Sequence, residues 1–267
     1  MNENLVTIKH SFNLGDLIVI LPLLKKLYEK TGKKTVLYQR INMLAFYAEG
    51  YYHPTQYNGE NVCMNIEMWD KIKPLLEKQL YIEKADIWQG QRVDYDFDLS
   101  RMNTLVPIPN GDIHSWATFV YPELTADFTE VSIIVPKQEN LYKDTIVINF
   151  TERYRNPYIV YFFLKHYQSQ IIFAGTEKEH NKFCKDYNLD IPLLKVPNFY
   201  ELAIIINSCK LFIGCQSFCW HLADSLKSKR ILEVCTAFPN TLPTGKNGYF
   251  FTEQKALEYY FKTLINE

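Results

Sequence analysis

The stretch that decides the fold is HSFNLGDLIVILPLLKKLYEKTG, residues 10–32. The residues before it, Leu5 to Lys9, have the β-branched content of a strand. Apolar residues then recur at helical spacing, at Leu17, Leu21, Leu24 and Leu27. Asp16 therefore falls where a parallel strand is followed by a helix. In an open α/β sheet, this is the edge at which ligands bind.

Two interpretations of Gly15-Asp16 are open at this point. In the first, Asp16 caps the helix and complements the helix dipole. In the second, Gly15 lets the chain turn tightly so that the Asp16 carboxylate faces a binding cleft. Position alone favours the capping interpretation, because acidic residues are common in the first turn of helices.

The bulk properties are those of a globular protein. With 267 residues, the chain is long enough for one large or two modest domains. Its net charge of −1 gives no electrostatic signature of nucleic-acid binding. The sequence contains no apolar run of about 18 residues, the length that spans a bilayer, and no signal-peptide pattern at its start. We therefore expect a cytoplasmic protein with no nucleic-acid partner.

The six cysteines are scattered and form no CxxC pair. In a chain of this size without a secretion signal, they are expected to be reduced thiols. Cys215, Cys219 and His221 are metal-ligating residue types, but no fourth ligand lies near them in the sequence. The sequence therefore predicts no metal site.

Strand-like and helix-like segments alternate in the first half of the chain. The pattern predicts strands at 4–9, 35–39 and 92–102, and helices at 16–31, 66–79 and 110–128. A proline and a polar stretch near 137–143 then interrupt the pattern. This interruption predicts a boundary between two domains, residues 1–137 and 138–267.

A second alternation follows the boundary. Strands are predicted at 145–150, 170–175, 193–196, 211–214 and 230–234. Helices are predicted at 157–167, 177–186, 199–208 and 218–227, with a last helix at the C-terminus. Alternating strands and helices of this length indicate βαβ units and mostly parallel sheets. The predicted fold class is therefore α/β, with two Rossmann-like domains facing a cleft.

Neither a GxGxxG sequence nor a Walker A loop is present. Polar residues do follow three of the predicted strands of the second half, where a binding crevice would need them. Arginine and helix N–H groups suit a diphosphate, whereas hydroxyls and amides suit a sugar. Taken singly, each residue is also explained as a surface, capping or core residue. The set comprises Thr151, Arg153, Arg155, Thr176, Glu177, Gln216, Ser217 and His221.

Two long segments and two short ones resemble a known family. The segment NLGDLIVILPLLKKLYE (13–29) resembles the N-terminal motif of glycosyltransferase family nine, the ADP-heptose–lipopolysaccharide heptosyltransferases and their relatives. The segment VPNFYELAIIINSCKLFIGCQSFCWHLADSLKSKRILEV (196–234) resembles the C-terminal signature of that family. NFTERYR (149–155) and AGTEKE (174–179) fall where the family contacts the nucleotide and phosphate. The resemblance implies a GT-B fold.

The resemblance also implies roles for individual residues. Asp16 matches the catalytic base and Thr151 the phosphate-contacting threonine. Arg155 stands where the family commonly has lysine, Glu177 matches a nucleotide-side glutamate, and His221 matches the histidine of the donor loop. The remaining implied substrate-binding positions are Gly15, Arg153, Thr176, Gln216 and Ser217.

The mechanism implied by the resemblance is an inverting transfer without a metal or other cofactor. Asp16 accepts the proton of an acceptor hydroxyl while that oxygen attacks the anomeric carbon of a nucleotide sugar. Arg155 and the helix N-terminus near Ser217 stabilise the leaving diphosphate. A carboxylate at a helix N-terminus is expected to be ionised at neutral pH, as a base must be.

The sequence departs from the family in one loop. The family's Asp-Ser/Thr-Gly reads Gln216-Ser217-Phe218 here, so that an amide replaces an acid and a ring replaces a glycine. Two alternatives therefore stand beside a transferase: a degenerate GT-B protein that only binds a nucleotide or glycan, and an epimerase or hydrolase on the same fold. The expected partners of the transferase are a nucleotide sugar and a glycan or lipid-linked acceptor in polysaccharide biosynthesis, with at most peripheral membrane contact.

Overall fold

The computed structural model describes residues 4–45, 55–97 and 112–267 of the chain. The chain separates into two compact units. The N-terminal unit comprises Met1–Ile134 with Pro197–Tyr200, and the C-terminal unit comprises Val135–Val196 with Glu201–Glu267. Both units are built on parallel sheets with helices between the strands, which is the predicted α/β class.

The N-terminal unit contains a four-stranded parallel sheet. Its strands are β1 (Leu5–His10), β2 (Lys34–Gln39), β5 (Ile82–Ile87) and β6 (Tyr95–Phe97). They lie in the order β5-β2-β1-β6, so the chain extends in one direction from β1 and then returns to its other side. The topological switch point therefore lies between β1 and β6, where α/β sheets bind ligands at the carboxyl ends of the strands.

Helix α1 (Leu14–Thr31) connects β1 to β2 and buries an unbroken run from Leu17 to Leu24. The run includes Pro22, which lies inside the helix more than two turns from its start. The helix ends at Gly32, whose left-handed φ of 69° suits a glycine. The predicted helix at 16–31 is thus confirmed, with two more residues at its start.

The rest of this unit differs from the prediction in several places. A hairpin of β3 (Gln56–Tyr57) and β4 (Glu60–Asn61) turns at Asn58-Gly59, both with positive φ. This is the Asn-Gly signal of a tight turn. Helix α2 (Ile66–Glu77) agrees with the predicted 66–79. Strand β5 was not predicted at all.

The last predicted elements of this unit are shorter than expected. The strand predicted at 92–102 spans only Tyr95–Phe97 within the described residues, and its second half lies outside them. The helix predicted at 110–128 is α3, Ile113–Val120. A turn with a hydrogen bond from the Leu124 N–H to the Tyr121 carbonyl follows it, which is why the helix does not continue to 128.

The C-terminal unit contains a five-stranded parallel sheet. Its strands are β7 (Ile146–Asn149), β8 (Ile171–Phe173), β9 (Leu211–Cys215), β10 (Arg230–Glu233) and β11 (Gly248–Phe251). The order is β11-β10-β9-β7-β8, so the first strand lies between the second and the third. The switch point is therefore between β7 and β9. Strand β11 was not predicted.

The helices of this unit are α4 (Glu139–Tyr142), α5 (Glu177–Tyr187), α6 (Phe199–Ser208), α7 (Phe218–Leu226) and α8 (Gln254–Asn266). The last four match predicted helices within two residues at each end. The helix predicted at 157–167 is wrong: a 3₁₀ helix occupies Phe162–Gln170 instead. The backbone N–H and carbonyl of Val160 bond the Gln254 side-chain amide, so residue 160 remains outside a helix.

The strand predicted at 193–196 is also wrong. Leu193 forms only an isolated parallel bridge with Phe173. The Leu194 N–H donates to the Phe173 carbonyl at 2.7 Å, and the Phe173 N–H donates to the Pro192 carbonyl at 2.9 Å. A ladder cannot extend through Pro192 or Pro197, because proline has no N–H to donate.

A buried ion pair fixes the amino edge of this sheet, the edge at which its parallel strands begin. Asp224 Oδ1 accepts from Arg230 Nε at 2.7 Å, and both side chains are buried. Arg230 also donates to the carbonyls of Ser228 and Lys246 at 3.0 Å each. Burial opposes ionisation of Asp224, but Arg230, Lys227 and Thr244 together hold the pKa of that carboxyl below its usual value.

His10 is buried at the end of β1, where its Nδ1 lies 2.8 Å from Gln39 Oε1. The Gln39 amide nitrogen bonds the backbone carbonyl of Arg40, which identifies its oxygen as the atom that faces the imidazole. Burial lowers the pKa of His10 to about 4, and the Gln39 contact only partly opposes this. The imidazole is therefore neutral in the folded protein at neutral pH.

This burial predicts a pH-dependent stability. Between pH 6.5 and 4 the unfolded chain binds one proton more than the folded chain at this site, so stability falls as pH falls. His10→Gln removes the titrating group. From pH 7.5 to 5.0, the parent should lose about 2 kcal/mol more unfolding free energy than His10→Gln, measured by urea denaturation. Equal losses in both proteins would contradict a buried neutral His10.

Candidate functional site

Asp16 is the third residue of α1 and belongs to a capping box with Asn13. Its Oδ2 accepts from the Asn13 backbone N–H at 3.3 Å. The carboxylate is half-buried. The pKa of the nearby Cys63 thiol is raised to about 12, mainly because the thiol is itself buried and also because of the Asp16 charge. The geometry thus supports the capping role, and a capping carboxylate still has a second oxygen for other contacts.

Gly15 does not have the conformation that the sequence predicted. It lies inside α1 as the second helical residue and forms no tight turn. The turn from β1 into α1 is made by residues 11–13, ending at the extended N-cap Asn13. The expectation of a turn glycine was therefore wrong.

The centre of the C-terminal unit's carboxyl edge, where its parallel strands end, is Asn149. It is the last residue of β7 and is buried. Its Nδ2 donates to the Ala174 carbonyl at 2.5 Å, and its Oδ1 accepts from Ser217 Oγ at 2.5 Å. Asn149 therefore ties the loops that follow β8 and β9 to the end of β7.

Two glycines make room for Asn149. A Cβ on Gly214 would lie 2.9 Å from the Asn149 carbonyl oxygen, which is backbone and cannot move aside. A Cβ on Gly175 would lie 2.7 Å from the Phe173 ring and 3.3 Å from Asn149 Nδ2. The switch point between β7 and β9 is thus closely packed around one amide side chain.

Thr151 lies two residues beyond β7 and contacts Cys215, the last residue of β9. The Thr151 N–H donates to Cys215 Sγ at 3.2 Å, and the two side chains are 3.4 Å apart. Burial raises the pKa of Cys215 to about 11, so the sulfur is a neutral thiol at physiological pH. Thr151 is thereby held at the switch point between β7 and β9.

Ser217 and Thr176 are both N-caps. Ser217 Oγ accepts from the Trp220 N–H at 3.1 Å at the start of α7. Thr176 Oγ1 accepts from the Glu179 N–H at 3.2 Å and donates to the Glu179 carboxylate at 2.8 Å. Both hydroxyls thus have structural partners, and Ser217 alone also contacts Asn149.

Gln216 is buried and links three segments. Its Oε1 accepts from the Cys235 N–H at 3.1 Å, and its Nε2 donates to Asn240 Oδ1 at 2.7 Å. Thr241 Oγ1 lies 3.3 Å from the same nitrogen. The amide that replaces the family's acid therefore holds the loop after β10 in place.

Three further predicted residues are Arg153, Glu177 and His221. The Arg153 guanidinium lies 5.0 Å from the Tyr154 ring centroid, and the side chain is half-buried. Glu177 is exposed in the first turn of α5. His221 is buried in α7, where its backbone N–H donates to the Ser217 carbonyl at 3.1 Å.

Arg155 forms a buried ion pair that the sequence did not reveal. Its Nε lies 2.9 Å from Glu233 Oε1 and its Nη2 lies 3.4 Å from Glu233 Oε2. Glu233 ends β10 and is fully buried, whereas the Arg155 side chain is 25% exposed. The guanidinium also lies 4.7 Å from the Phe150 ring centroid.

The Glu233 carboxylate also accepts hydrogen bonds from groups other than Arg155. Its Oε1 accepts from the Asn156 N–H at 2.5 Å, and its Oε2 accepts from the Tyr161 hydroxyl. Burial lowers the pKa of Arg155, but the Glu233 charge and hydrogen bond, together with Tyr161 and Cys215, outweigh this and raise the pKa above its ordinary value. The arginine is therefore a permanent cation.

Within residues 4–45, 55–97 and 112–267, no group of three or more His, Cys, Asp or Glu side chains is placed to hold a metal ion. Over the same residues, every helix is too short or too polar to cross a bilayer.

The fold and its strand orders define a class of protein, the GT-B glycosyltransferase fold of two Rossmann-like units. No model of a protein family and no curated protein matches the sequence. The chain is similar to several solved structures. Because the sequence identity to them is low, this similarity establishes the fold and nothing more. The resemblance found in the sequence is confirmed at this level.

One similar structure is the glycosyl transferase family 9 protein from Veillonella parvula DSM 2008, with a TM-score of 0.63 and 11% identity over 100% of this chain and 98% of that one. Another is the E. coli ADP-heptose lipopolysaccharide heptosyltransferase II, with a TM-score of 0.63 and 13% identity over 98% of both chains. A third is the E. coli heptosyltransferase WaaC with ADP, with a TM-score of 0.61 and 9% identity over 97% of this chain and 99% of that one.

Sequence reasoning missed Asn149, Glu233 and Tyr161. Glu233 carried one usable signal, because an acid inside the apolar run RILEV needs a buried partner. Nothing local indicated that the partner is Arg155, 78 residues away. Asn149 and Tyr161 lie in apolar segments and resembled ordinary core residues.

The double role of Ser217 gives a stability prediction. Thr176→Ala removes a cap and should lower the unfolding free energy by about 1 kcal/mol. Ser217→Ala removes a cap and also leaves the buried Asn149 oxygen without its donor, which adds about 1–3 kcal/mol. Urea denaturation measures both variants. Equal losses would show that the Ser217–Asn149 contact contributes nothing to stability.

Proposed function

We propose that this protein is an inverting glycosyltransferase that moves a sugar from a nucleotide-sugar donor to a hydroxyl of a glycan or lipid-linked acceptor. The observation that carries the proposal is the carboxyl edge of the C-terminal unit. Asn149, Thr151 and Ser217 converge there at the switch point between β7 and β9. The fold shared with known glycosyltransferases supports the same function.

In this proposal the C-terminal unit binds the donor. Thr151 and Arg155 contact the phosphates, and the first N–H groups of α7, after the cap Ser217, face the same anion. Glu177 and Thr176 at the start of α5 lie on the nucleotide side, and Arg153, Gln216 and His221 complete the surroundings. The charge that develops on the leaving diphosphate is thus stabilised by Arg155 and the helix dipole.

In the N-terminal unit, Asp16 is the proposed base. It accepts the proton of the acceptor hydroxyl as that oxygen attacks the anomeric carbon. The C–O bond to the diphosphate breaks on the opposite face, which inverts the configuration. The capping contact to Asn13 fixes the carboxylate in the first turn of α1, just after the end of β1.

The proposed setting is the cytoplasm, in the biosynthesis of a polysaccharide. The six cysteines are free thiols, as expected in a reducing compartment. Contact with a lipid-linked acceptor needs at most peripheral attachment to a membrane, and the near-neutral charge gives no reason to invoke nucleic acid.

The donor can be identified by a thermal-shift screen against nucleoside diphosphates and nucleotide sugars. A ligand at about 100 times its Kd should add about 2.7 kcal/mol of stability. Stabilisation by both a nucleotide sugar and its nucleoside diphosphate supports a donor site. If no compound of either class raises the melting temperature, the proposed function fails.

The role of Asp16 is tested by Asp16→Asn. The amide keeps the shape and can still accept from the Asn13 N–H, but it cannot serve as the base. Transfer should fall by about 10²–10⁴-fold while donor binding changes little. Release of nucleoside diphosphate, followed over time with the donor found in the screen, measures the effect.

A matched control is Glu179→Gln, because Glu179 is the other acidic third residue of a capping box. It gives the consequence of losing such a charge without the proposed chemistry. At the third helical position the amide oxygen can still accept from the N-cap N–H, so each variant loses only the charge–dipole interaction, about 0.3–1 kcal/mol of stability. If Asp16→Asn turns over within about threefold of the parent, a threshold well below the 10²-fold expected, Asp16 is only a cap.

The leaving-group assignment makes a further prediction. If Arg155 and helix N–H groups stabilise the diphosphate, transfer after dialysis against EDTA should equal transfer before it. Restoration of lost activity by Mg²⁺ or Mn²⁺ would contradict this assignment and would require a metal at the site.

A second candidate function is nucleotide or glycan binding without transfer. The observation that favours it is Gln216, whose amide is engaged by Cys235 and Asn240 where the family has an acid. The two candidates are distinguished by turnover: a binder would be stabilised by a nucleotide sugar yet would release no nucleoside diphosphate with any acceptor.

A further inference from the structure

The Arg155 guanidinium has two hydrogen-bonding edges, and Glu233 occupies one of them. The Nε and Nη2 edge forms the paired contact with Glu233. The Nη1 nitrogen forms no hydrogen bond to any residue of the ranges that the structure describes. Because a guanidinium is a planar fork, holding one edge fixes the plane and direction of the other.

Glu233 is itself held so that it cannot follow a moving arginine. The Asn156 N–H and the Tyr161 hydroxyl donate to its two oxygens, one to each. It lies on β10, a strand in the interior of the sheet, and is fully buried. The Tyr161 ring centroid also lies 5.6 Å from the guanidinium carbon.

The location of the pair matters for function. Arg155 follows β7, and Glu233 ends β10, so the contact spans the carboxyl end of the intervening strand β9. That is the switch point where Thr151 contacts Cys215. The side chain nevertheless retains 25% exposure, so a solute can reach it.

We propose that Glu233 is a positioning residue for the donor site: it holds one edge of Arg155 so that the other edge is presented to a phosphate group. This inference rests on the proposed function, because it assigns a phosphate contact to Arg155. It adds a buried acid, with Tyr161 behind it, to a site for which the sequence indicated only the arginine.

Two variants test the positioning while they keep every charge. Glu233→Asp withdraws the carboxylate by one methylene, and Tyr161→Phe removes the hydroxyl that holds Glu233. Inorganic pyrophosphate is the probe, because it reports the phosphate contact without a nucleoside. Isothermal titration should show about tenfold weaker pyrophosphate binding for Glu233→Asp and a smaller loss for Tyr161→Phe.

Arg155→Ala sets the upper limit of the effect, a loss of about ten- to a hundredfold. The matched control is Thr244→Val, since Thr244 also donates a hydroxyl to the carboxylate of a buried arginine pair, Asp224–Arg230. That pair lies at the amino edge of the same sheet, away from the proposed site. Thr244→Val should therefore bind pyrophosphate as the parent does, and far-UV circular dichroism confirms folding of each variant.

A readout specific to positioning is the NMR signal of the Arg155 Nε–H group. It should be protected from solvent exchange in the parent, and less protected in Glu233→Asp. A structural role alone would not couple this protection to pyrophosphate affinity. If Glu233→Asp binds pyrophosphate within twofold of the parent, the positioning role is overturned.

ADP separates this inference from the proposed function. If ADP binds the parent but Arg155→Ala and Glu233→Asp bind it equally well, the inference fails and the proposed function stands. If pyrophosphate binds through Arg155 but no nucleoside diphosphate does, the proposed function fails and the positioning role stands. If the parent binds neither pyrophosphate nor any nucleoside diphosphate, both are overturned.

Discussion

The carboxyl edge of the C-terminal unit depends on one side chain, the Asn149 amide. It donates to the Ala174 carbonyl and accepts from Ser217, so that the loops after β8 and β9 are both fixed to the end of β7. Strands β7 and β9 approach each other closely at this point. Residue 214 must be glycine because a Cβ there would meet the backbone carbonyl oxygen of Asn149. Ser217 in turn caps α7 and directs its first N–H groups toward the same edge. A buried polar network of this kind is stable only when each member has its partner.

Each edge of this sheet contains an arginine paired with a buried carboxylate, but the two pairs have different roles. At the amino edge, Arg230 is buried and donates to Asp224 and to several backbone carbonyls, which leaves it no role beyond holding the 244–248 loop. At the carboxyl edge, Arg155 is paired with Glu233 but remains partly exposed. Its Nη1 nitrogen forms no hydrogen bond with any residue that the structure describes. The difference in exposure, rather than the presence of an ion pair, distinguishes a structural arginine from one available to a ligand.

Much of this architecture could be predicted from the sequence, because the periodic segments were long. Strand β1, helix α1, strands β7 to β10 and helices α5 to α7 follow from hydrophobic patterning. Strand β5 was missed because Glu83 and Lys84 interrupt its apolar pattern on an edge strand. The helix predicted at 157–167 failed because Val160 bonds the Gln254 side chain, 94 residues away. The Arg155–Glu233 pair was invisible for the same reason: local patterns carry no information on long-range partners.

The account rests on the claim that a nucleoside diphosphate binds at the carboxyl edge of the C-terminal unit. A titration of the uniformly ¹⁵N-labelled chain with the nucleoside diphosphate that the thermal-shift screen identifies, followed by ¹H–¹⁵N correlation spectra, tests this most directly. The account predicts that the largest shifts fall on the amides of residues 150–156 and 216–219, around the switch point between β7 and β9. Shifts confined to the amino edge, at residues 227–230 and 244–248, or spectra unchanged by every nucleoside diphosphate, would contradict it.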